Sequence, residues 1–282
     1  MAVALALAAG TARAATPAPL TAADLTGARA LAMGGAFRAM TGGNESIFLN
    51  PAALAVVKRY SIEANYLNDR AGADSDQQWA NLSVVDSSEA IAAGFAYTRL
   101  PAGLTQGNVF DLSLATPIGD NLFLGATAKY LRLNVPGGQD RELNGDVGLF
   151  LRVNQYVSIG GAGYNLLSSS HQDQAPRGVG AGIALGDERT FHVAADWRQD
   201  FERDQGRSTN AFGGGAEYLL LDFLPLRAGY LKDDTLGGSF WSAGAGVVSN
   251  GGAALDLAYR QGIDDASKRT LMVALKIFVP TI

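Results

Sequence analysis

The 282-residue chain predicts an all-β fold: a closed antiparallel transmembrane β-barrel of about 14 strands with a short N-terminal plug in its lumen. Three observations carry this reading. Hydrophobic residues make up 48% and charged residues only 17%, yet mean hydropathy is +0.07 and no apolar run approaches the roughly 20 residues a spanning helix needs. From Arg59 onward the sequence repeats segments of about ten residues in which apolar and polar side chains alternate, each followed by turn residues. The connections alternate as well, tight on one side and longer on the other, which a soluble sandwich has no reason to do.

Residues 1–14 are expected to be an export signal. Ala2 to Ala9 is a short apolar stretch, and Ala12-Arg13-Ala14 is a small-x-small cleavage site. Pro17 and Pro19 directly after it oppose a continuing helix. No basic residue precedes the apolar stretch. Residues 15–57 differ in character: glycine-broken and apolar, too interrupted to span lipid. A barrel this wide is not filled by its own side chains, so this segment is placed in the lumen as a plug, the alternative being an extension outside it.

The barrel, 58–282, is expected to have strands beginning near Tyr60, Gln78, Ala90, Val109, Asn121, Leu143, Gln155, Arg177, Arg189, Thr209, Leu224, Phe240, Ala253 and Thr270. Asp86 to Glu89, Pro117 to Asp120, Asn154, Gly186 to Glu188 and Asn250 to Gly252 are tight turns. Longer polar loops are expected at 69–77, 101–108, 136–142, 168–175 and 200–208. Alternation assigns the faces, because successive strand residues point opposite ways. In Phe191 to Arg198, Phe191, Val193, Ala195 and Trp197 oppose His192, Asp196 and Arg198. The polar face collects Glu63, Asp111, Lys129, Asp146, Arg152, His192, Asp196, Arg198, Glu217, Arg227, Asp256, Arg260 and Lys276. Against lipid, a cation costs about 2–4 kcal/mol near the midplane and a carboxylate less; both signs are therefore assigned to the lumen. On the apolar face, Tyr66, Tyr97, Phe110, Tyr130, Tyr164, Trp197, Phe212, Tyr230, Trp241 and Tyr259 fall near one rim as an aromatic girdle.

The run GARALAMGGAFRAM followed by ESIFLNPAALA resembles the N-terminal signature of the FadL-type outer-membrane transporters and their PorV-like relatives. IGDNL leading to GATAKY, GDVGL and LRAGY extend the likeness over nearly the whole mature chain. The resemblance implies a bacterial outer-membrane location and a fourteen-stranded barrel with a luminal plug. Gly34 and Gly35 match the glycine pair, and Asn50, Pro51 and Ala52 the N-P-A motif. In FadL-type members hydrophobic molecules enter from outside and leave through an opening in the wall; in PorV-like members the barrel binds protein partners of a surface machine. Two departures stand out: the outer loops are short, and the chain ends in Phe278-Val279-Pro280-Thr281-Ile282 rather than on an aromatic residue.

The leading expectation is passive uptake of small hydrophobic molecules through a plug-gated lumen. The alternative is a non-conducting platform for protein partners of a secretion or surface-assembly system. Arg29, Met33, Gly34, Gly35, Phe37, Asn50, Pro51 and Ala52 are the candidate gating residues. Lys129, Asp146, His192, Asp196, Glu217, Arg227, Asp256 and Arg260 are the luminal charges, with Arg227 and Glu217 as expected partners. Expected partners are outer-membrane lipid and either small hydrophobic molecules or protein.

No enzyme, cofactor or metal is expected. The chain has no cysteine, which excludes disulfides, thiolate chemistry and a lipidated N-terminal cysteine. A net charge of −5 gives no reason to expect nucleic acid. The glycines of 178–182 and 244–246 alternate along a strand, whereas a phosphate loop needs a strand-to-helix turn; small luminal residues leave room for a plug. His192 and Asp196 lack a positioned serine for a triad. His171 is a solvated loop residue, and the acidic loops lack the ordered spacing of a calcium site.

Overall fold

The computed structural model describes residues 21, 24–72, 75–100, 106–135, 138–167, 169–172, 174–204 and 206–280. The export signal expected at 1–14 lies outside them. Fourteen strands follow one another: β1 (Arg59–Gly72), β2 (Ser75–Asp86), β3 (Ala92–Arg99), β4 (Gln106–Pro117), β5 (Leu122–Val135), β6 (Gly138–Asn154), β7 (Val157–Tyr164), β8 (Gly178–Asp187), β9 (Phe191–Asp204), β10 (Arg207–Leu220), β11 (Leu224–Asp233), β12 (Gly238–Val248), β13 (Ala253–Gly262) and β14 (Arg269–Pro280). Each pairs antiparallel with its sequence neighbours, and β1 pairs β14 to close the barrel. Closure gives every strand two neighbours, so that no edge strand meets lipid without hydrogen-bond partners; a strand that runs past a shorter neighbour, as β6 does past β7 over 138–146, lacks ladder partners only there.

Register shifts fall only near strand ends, at Arg70/Gly72, Arg152/Asn154 and Arg207/Thr209. Among the described residues the wall is therefore continuous at mid-height, unlike the wall opening that the family resemblance implies. The strand starts lie within a few residues of those expected. The largest departures concern the loops: 69–77, 136–142 and 200–208 are mostly strand, so that β6 begins at Gly138. Their polar residues sit on strands that run on past the apolar belt.

Those projecting strands reverse the polarity of the barrel. Through most of its height Leu112, Leu114, Val147, Leu255, Leu257 and Leu275 are exposed on the outside, while Glu63, Asp111, Asp146, Glu217 and Asp256 are buried inside. Beyond the girdle the inward face turns apolar: Leu67, Trp79, Val109, Leu131, Leu133, Leu231, Phe240 and Met272 are all buried. The outward face there carries Gln78, Arg132, Asn134 and Lys232, all exposed. Alternation persists with its phase inverted, which a reader expecting a uniformly polar lumen takes for loop.

The girdle itself is registered across neighbouring strands. Tyr97, Phe110 and Tyr130 are consecutive partners, with ring centroids 5.1 and 6.1 Å apart. Trp241 and Tyr259 meet at 5.5 Å. Tyr164 is a correction: it is 4% exposed and points inward. It shares a face with Gly160 and Ala162, and β7 carries small residues on both faces, so alternation alone did not settle its side.

Residues 24–57 pack against inward-facing side chains around the barrel. They form helix α1 (Ala28–Ala32), helix α2 (Ser46–Leu49) and a 3-10 turn over Pro51–Ala55. Helix α1 lies against β11–β14, and the 3-10 turn against β3–β6. Both helices are short and carry no side-chain N-cap, so tertiary packing rather than propensity holds them.

Candidate functional site

The site is the contact between this inner segment and the lumen wall, and glycine makes it possible. A Cβ at Gly213 would overlap Gly34 O, at Gly160 Arg38 O, and at Gly229 Gly34 N. At Gly215 it would lie 2.7 Å from Met33 Cα, and at Gly244 2.5 Å from Ala32 Cβ. Gly125 and Gly148 similarly admit Pro51 and Ala52, and Gly180 admits the Arg38 side chain. Strands β5–β8 and β10–β12 thus each present bare backbone to the segment. Gly34 and Gly35, at φ +67° and +82°, make the turn that an L side chain rarely adopts.

Ion pairs tether the segment. The Arg29 guanidinium grips Glu217 with Nε and Nη2 at 2.9 and 2.8 Å, and its Nη1 donates to Thr41 O at 2.8 Å. Glu217 also accepts from Arg227, which reaches on to Asp256 at 2.5 Å. His192 stands 3.5 Å from Arg29 and 3.7 Å from Glu217. The Arg38 guanidinium pairs with Asp196 at 3.0 Å and donates to Tyr164 Oη at 2.6 Å. Asp196 also accepts the backbone N–H groups of Phe37 and Arg38, each at 2.9 Å, and Tyr164 donates to Leu49 O at 2.5 Å. Thr41 donates twice to Glu188, at 3.0 and 2.8 Å. Near the long-loop end, Asp24 binds Arg203. Burial pushes the Asp24 carboxyl up, but the Arg203 guanidinium outweighs it and holds the group below the ordinary carboxylate range.

Asn50 fixes the N-P-A turn. Its amide donates to Arg38 O at 2.7 Å and Leu149 O at 3.0 Å, and its oxygen accepts from Ala52 N at 3.2 Å. Asn50→Ala is expected to destabilise the barrel by about 1–3 kcal/mol for each buried group left unsatisfied, measured by urea unfolding in detergent.

Each expected residue has a definite place. Arg29, Met33, Gly34, Phe37, Asn50, Pro51 and Ala52 touch the wall or one another as described, while Gly35 has open space beyond it. His192, Asp196, Glu217, Arg227 and Asp256 meet the segment or its ion network. Lys129 pairs with Asp146 at 2.7 Å, away from the Arg29 cluster. Arg260 lies at the long-loop end, donating to Thr270 at 3.0 Å over the Phe240 ring.

Sequence reasoning missed Arg38, Asn44, Glu45, Tyr164 and Glu188. Arg38 directly follows the M-G-G-A-F run, where a cation beside glycine-rich strands was a usable signal. Asn44 spans Ser83 and Ser61 through bonds of 3.0 and 2.6 Å.

Glu45 is 2% exposed, and its Oε2 has no hydrogen-bond partner among the described residues. Burial and the nearby Glu63 push its carboxyl above the ordinary 4.5, against Lys276 and Arg29. A raised carboxylate pKa favours the folded state below the ordinary value, and that advantage is lost as pH climbs through the raised one. Glu45→Gln, permanently neutral, is expected to match the wild type in acid and exceed it in stability at alkaline pH, read from urea midpoints across a pH series.

Two hollows flank Gly34–Thr41. One of about 90 Å³ lies on the long-loop side, bordered by Leu25, Gly34, Gly35, Arg38 and Leu231. The other, about 440 Å³, opens at the short-turn end among Thr41, Arg152, Ser158, Glu188 and His192. No group of three or more potential metal ligands occurs among the described residues.

No protein-family model and no curated protein matches the chain. Solved structures do. The chain is similar to the CymD monoaromatic hydrocarbon channel, with a TM-score of 0.67 and 17% identity over 90% of this chain and 96% of that one. It is similar to the toluene transporter TbuX of Ralstonia pickettii, with a TM-score of 0.66 and 16% identity over 89% and 97%. A FadL homologue of Pseudomonas aeruginosa gives a TM-score of 0.65 and 13% identity over 95% and 100%. The fold is therefore that of the FadL-type outer-membrane barrels.

Proposed function

We propose that this barrel sits in a bacterial outer membrane, short turns inward, and passes small hydrophobic molecules when residues 24–57, its plug, shift. The reversal of lumen polarity carries this reading. Leu67, Trp79, Leu131, Leu133, Phe240 and Met272 form an apolar interior at the outer mouth, directly above the ion-paired plug. The solved barrels of the same fold include channels and transporters named for toluene and monoaromatic hydrocarbons. Magnitudes define the state described: an apolar cavity of about 150 Å³ holds benzene, whereas the outer hollow offers about 90 Å³. This difference supports reading the state described as closed, with passage opened by a movement of Gly34–Thr41 between the two hollows.

The test is uptake into phosphatidylcholine vesicles of a hydrophobic dye and a small sugar, by intact protein and by protein lacking 24–57. Intact protein is expected to pass the dye alone, and the deletion to pass both. If intact protein passes neither, the alternative stands: a sealed platform for protein partners. That second reading draws on the tight filling of the lumen, where Ala30, Met33, Phe37, Met40 and Ile47 are wholly buried.

A further inference from the structure

One side of the outer wall carries basic groups that have no partner among the described residues. On β3–β6 the girdle residues Tyr97, Phe110 and Tyr130 are register partners, followed on β6 by Leu143. One outward step further, the partners are Arg99, Asn108, Arg132 and Arg141. The three arginines are exposed, and none has a side-chain hydrogen bond or ion pair among the described residues. Arg132 and Arg141 stand directly opposite each other, an arrangement that destabilises a sheet unless an anion joins them. By contrast Arg70 and Arg177, at the same end of other strands, pair with Asp76 and Glu202 at 2.9 Å.

The next outward step is Gln106, Asn134 and Gln139, again register partners, with Gln139 donating to Asn134 at 3.2 Å. Below the girdle the same strands are wholly apolar: Phe95, Leu112, Ala128 and Gly145, then Leu114, Ala126 and Val147. The outward hollow of about 490 Å³ among Ile91, Leu114, Thr116, Leu124 and Ala126 lies further down, towards the short-turn ends of these strands. Alternate strand residues are about 7 Å apart. Apolar rows, aromatics, guanidinium groups and amides thus succeed one another on a scale of tens of ångströms, the order of a lipid's chains, phosphate and sugar.

The geometry points to a binding site on β3–β6 for a phosphorylated glycolipid of the outer leaflet. Arg99, Arg132 and Arg141 hold its phosphates, since guanidinium matches phosphate bidentately. Gln106, Asn134 and Gln139 face its sugar, and the apolar rows below the girdle, Phe95 and Leu112 among them, lie along its acyl chains. Such a lipid would seal and orient this wall while leaving the lumen route untouched. The site rests on the outer-membrane placement proposed above, and not on conduction.

The test uses the full chain in phosphatidylcholine nanodiscs, titrated with bis-phosphorylated lipid A and read by native mass spectrometry. Arg99→Gln/Arg132→Gln/Arg141→Gln is expected to lose lipid A binding about 100-fold, at about five-fold for each arginine near a charged surface. A control of equal charge change, Arg70→Gln/Arg177→Gln/Arg207→Gln, is expected to bind as the wild type does. Lipid A stripped of phosphate is expected to bind wild type as weakly as intact lipid A binds the triple variant, an arm that needs no variant to fold. Undiminished binding by the folded triple variant, equal binding of dephosphorylated lipid, or displacement by equal phosphatidylglycerol overturns the proposal. Uptake in vesicles free of lipid A is a separate readout, so failure here and failure of conduction are distinguishable.

Discussion

Glu217→Ala is expected to produce the largest loss of any single substitution in the lumen. Glu217 is the shared acceptor of Arg29, on the plug, and Arg227, on the wall. Its removal leaves Arg29 with Glu188 at 3.5 Å, beside the hollow at the short-turn end, and Arg227 with Asp256 at 2.5 Å. Removing one partner of a buried pair costs about 3–5 kcal/mol when the remaining charge is left uncompensated; here each guanidinium keeps one carboxylate, so the loss is expected at the lower end, about 3 kcal/mol. The cost is expected to fall on the plug more than on the ladder. Wall hydrogen bonds are independent of Glu217, whereas Arg29 is the only guanidinium of α1. In planar bilayers the variant is expected to show frequent ion-conducting openings that the wild type lacks. Glu217→Gln, which keeps the shape and two polar atoms, is expected to fall between the two. A variant as silent as the wild type, with an unchanged urea midpoint, would remove Arg29–Glu217 from the account.

The second large effect comes from filling glycine. A side chain at Gly160 collides with Arg38 O, and one at Gly213 with Gly34 O. In both cases the obstacle is backbone, which cannot turn aside as a side chain can. Gly160→Val and Gly213→Val are each expected to cost about 1–3 kcal/mol from overpacking. Together they should displace the plug and admit a polar solute that the wild type excludes. Gly161→Ala is the matched control on the same strand: its Cβ would meet nothing nearer than Gly180 O at 3.8 Å. Equal effects from Gly160→Val and Gly161→Ala would show that the glycines serve the strands and not the plug.

Much of this was legible in the sequence, for identifiable reasons. Period-two alternation with tight turns is a direct consequence of strand geometry, so fourteen strands and the inward charges could be read off residue by residue. Arg227 opposite Glu217 follows from simple register. What escaped depended on contacts across the barrel. Arg38 is a lone cation in a glycine-rich apolar run, and only β7, β8 and β9 show its role by placing Tyr164, Gly180 and Asp196 around it. Tyr164 reads as outward because a tyrosine near a rim fits a girdle, and only its bond to Leu49 O shows why it turns in. The inverted outer tier reads as loop because its outward residues are polar, and polarity without burial information cannot separate a solvated strand from a turn. The arginines at 99, 132 and 141 lie far apart in sequence, and only register brings them into one row.

The most direct test of the account is a switchable latch. The chain contains no cysteine, so Arg38→Cys/Gly182→Cys introduces a single thiol pair. A Cβ at Gly182 lies 3.2 Å from Arg38 Cβ, close to the spacing of about 3.5–4.5 Å that a disulfide spans, once Asp196, freed of its partner, turns aside. Oxidised, the variant pins Gly34–Thr41 to β8; reduced, it lacks even the Arg38–Asp196 pair. Hydrophobic dye uptake into vesicles is the measurement. The account predicts uptake that is abolished by oxidation and restored by reductant to at least the wild-type rate. Uptake that proceeds equally in both states would contradict it, because the molecule would then be crossing without moving the plug.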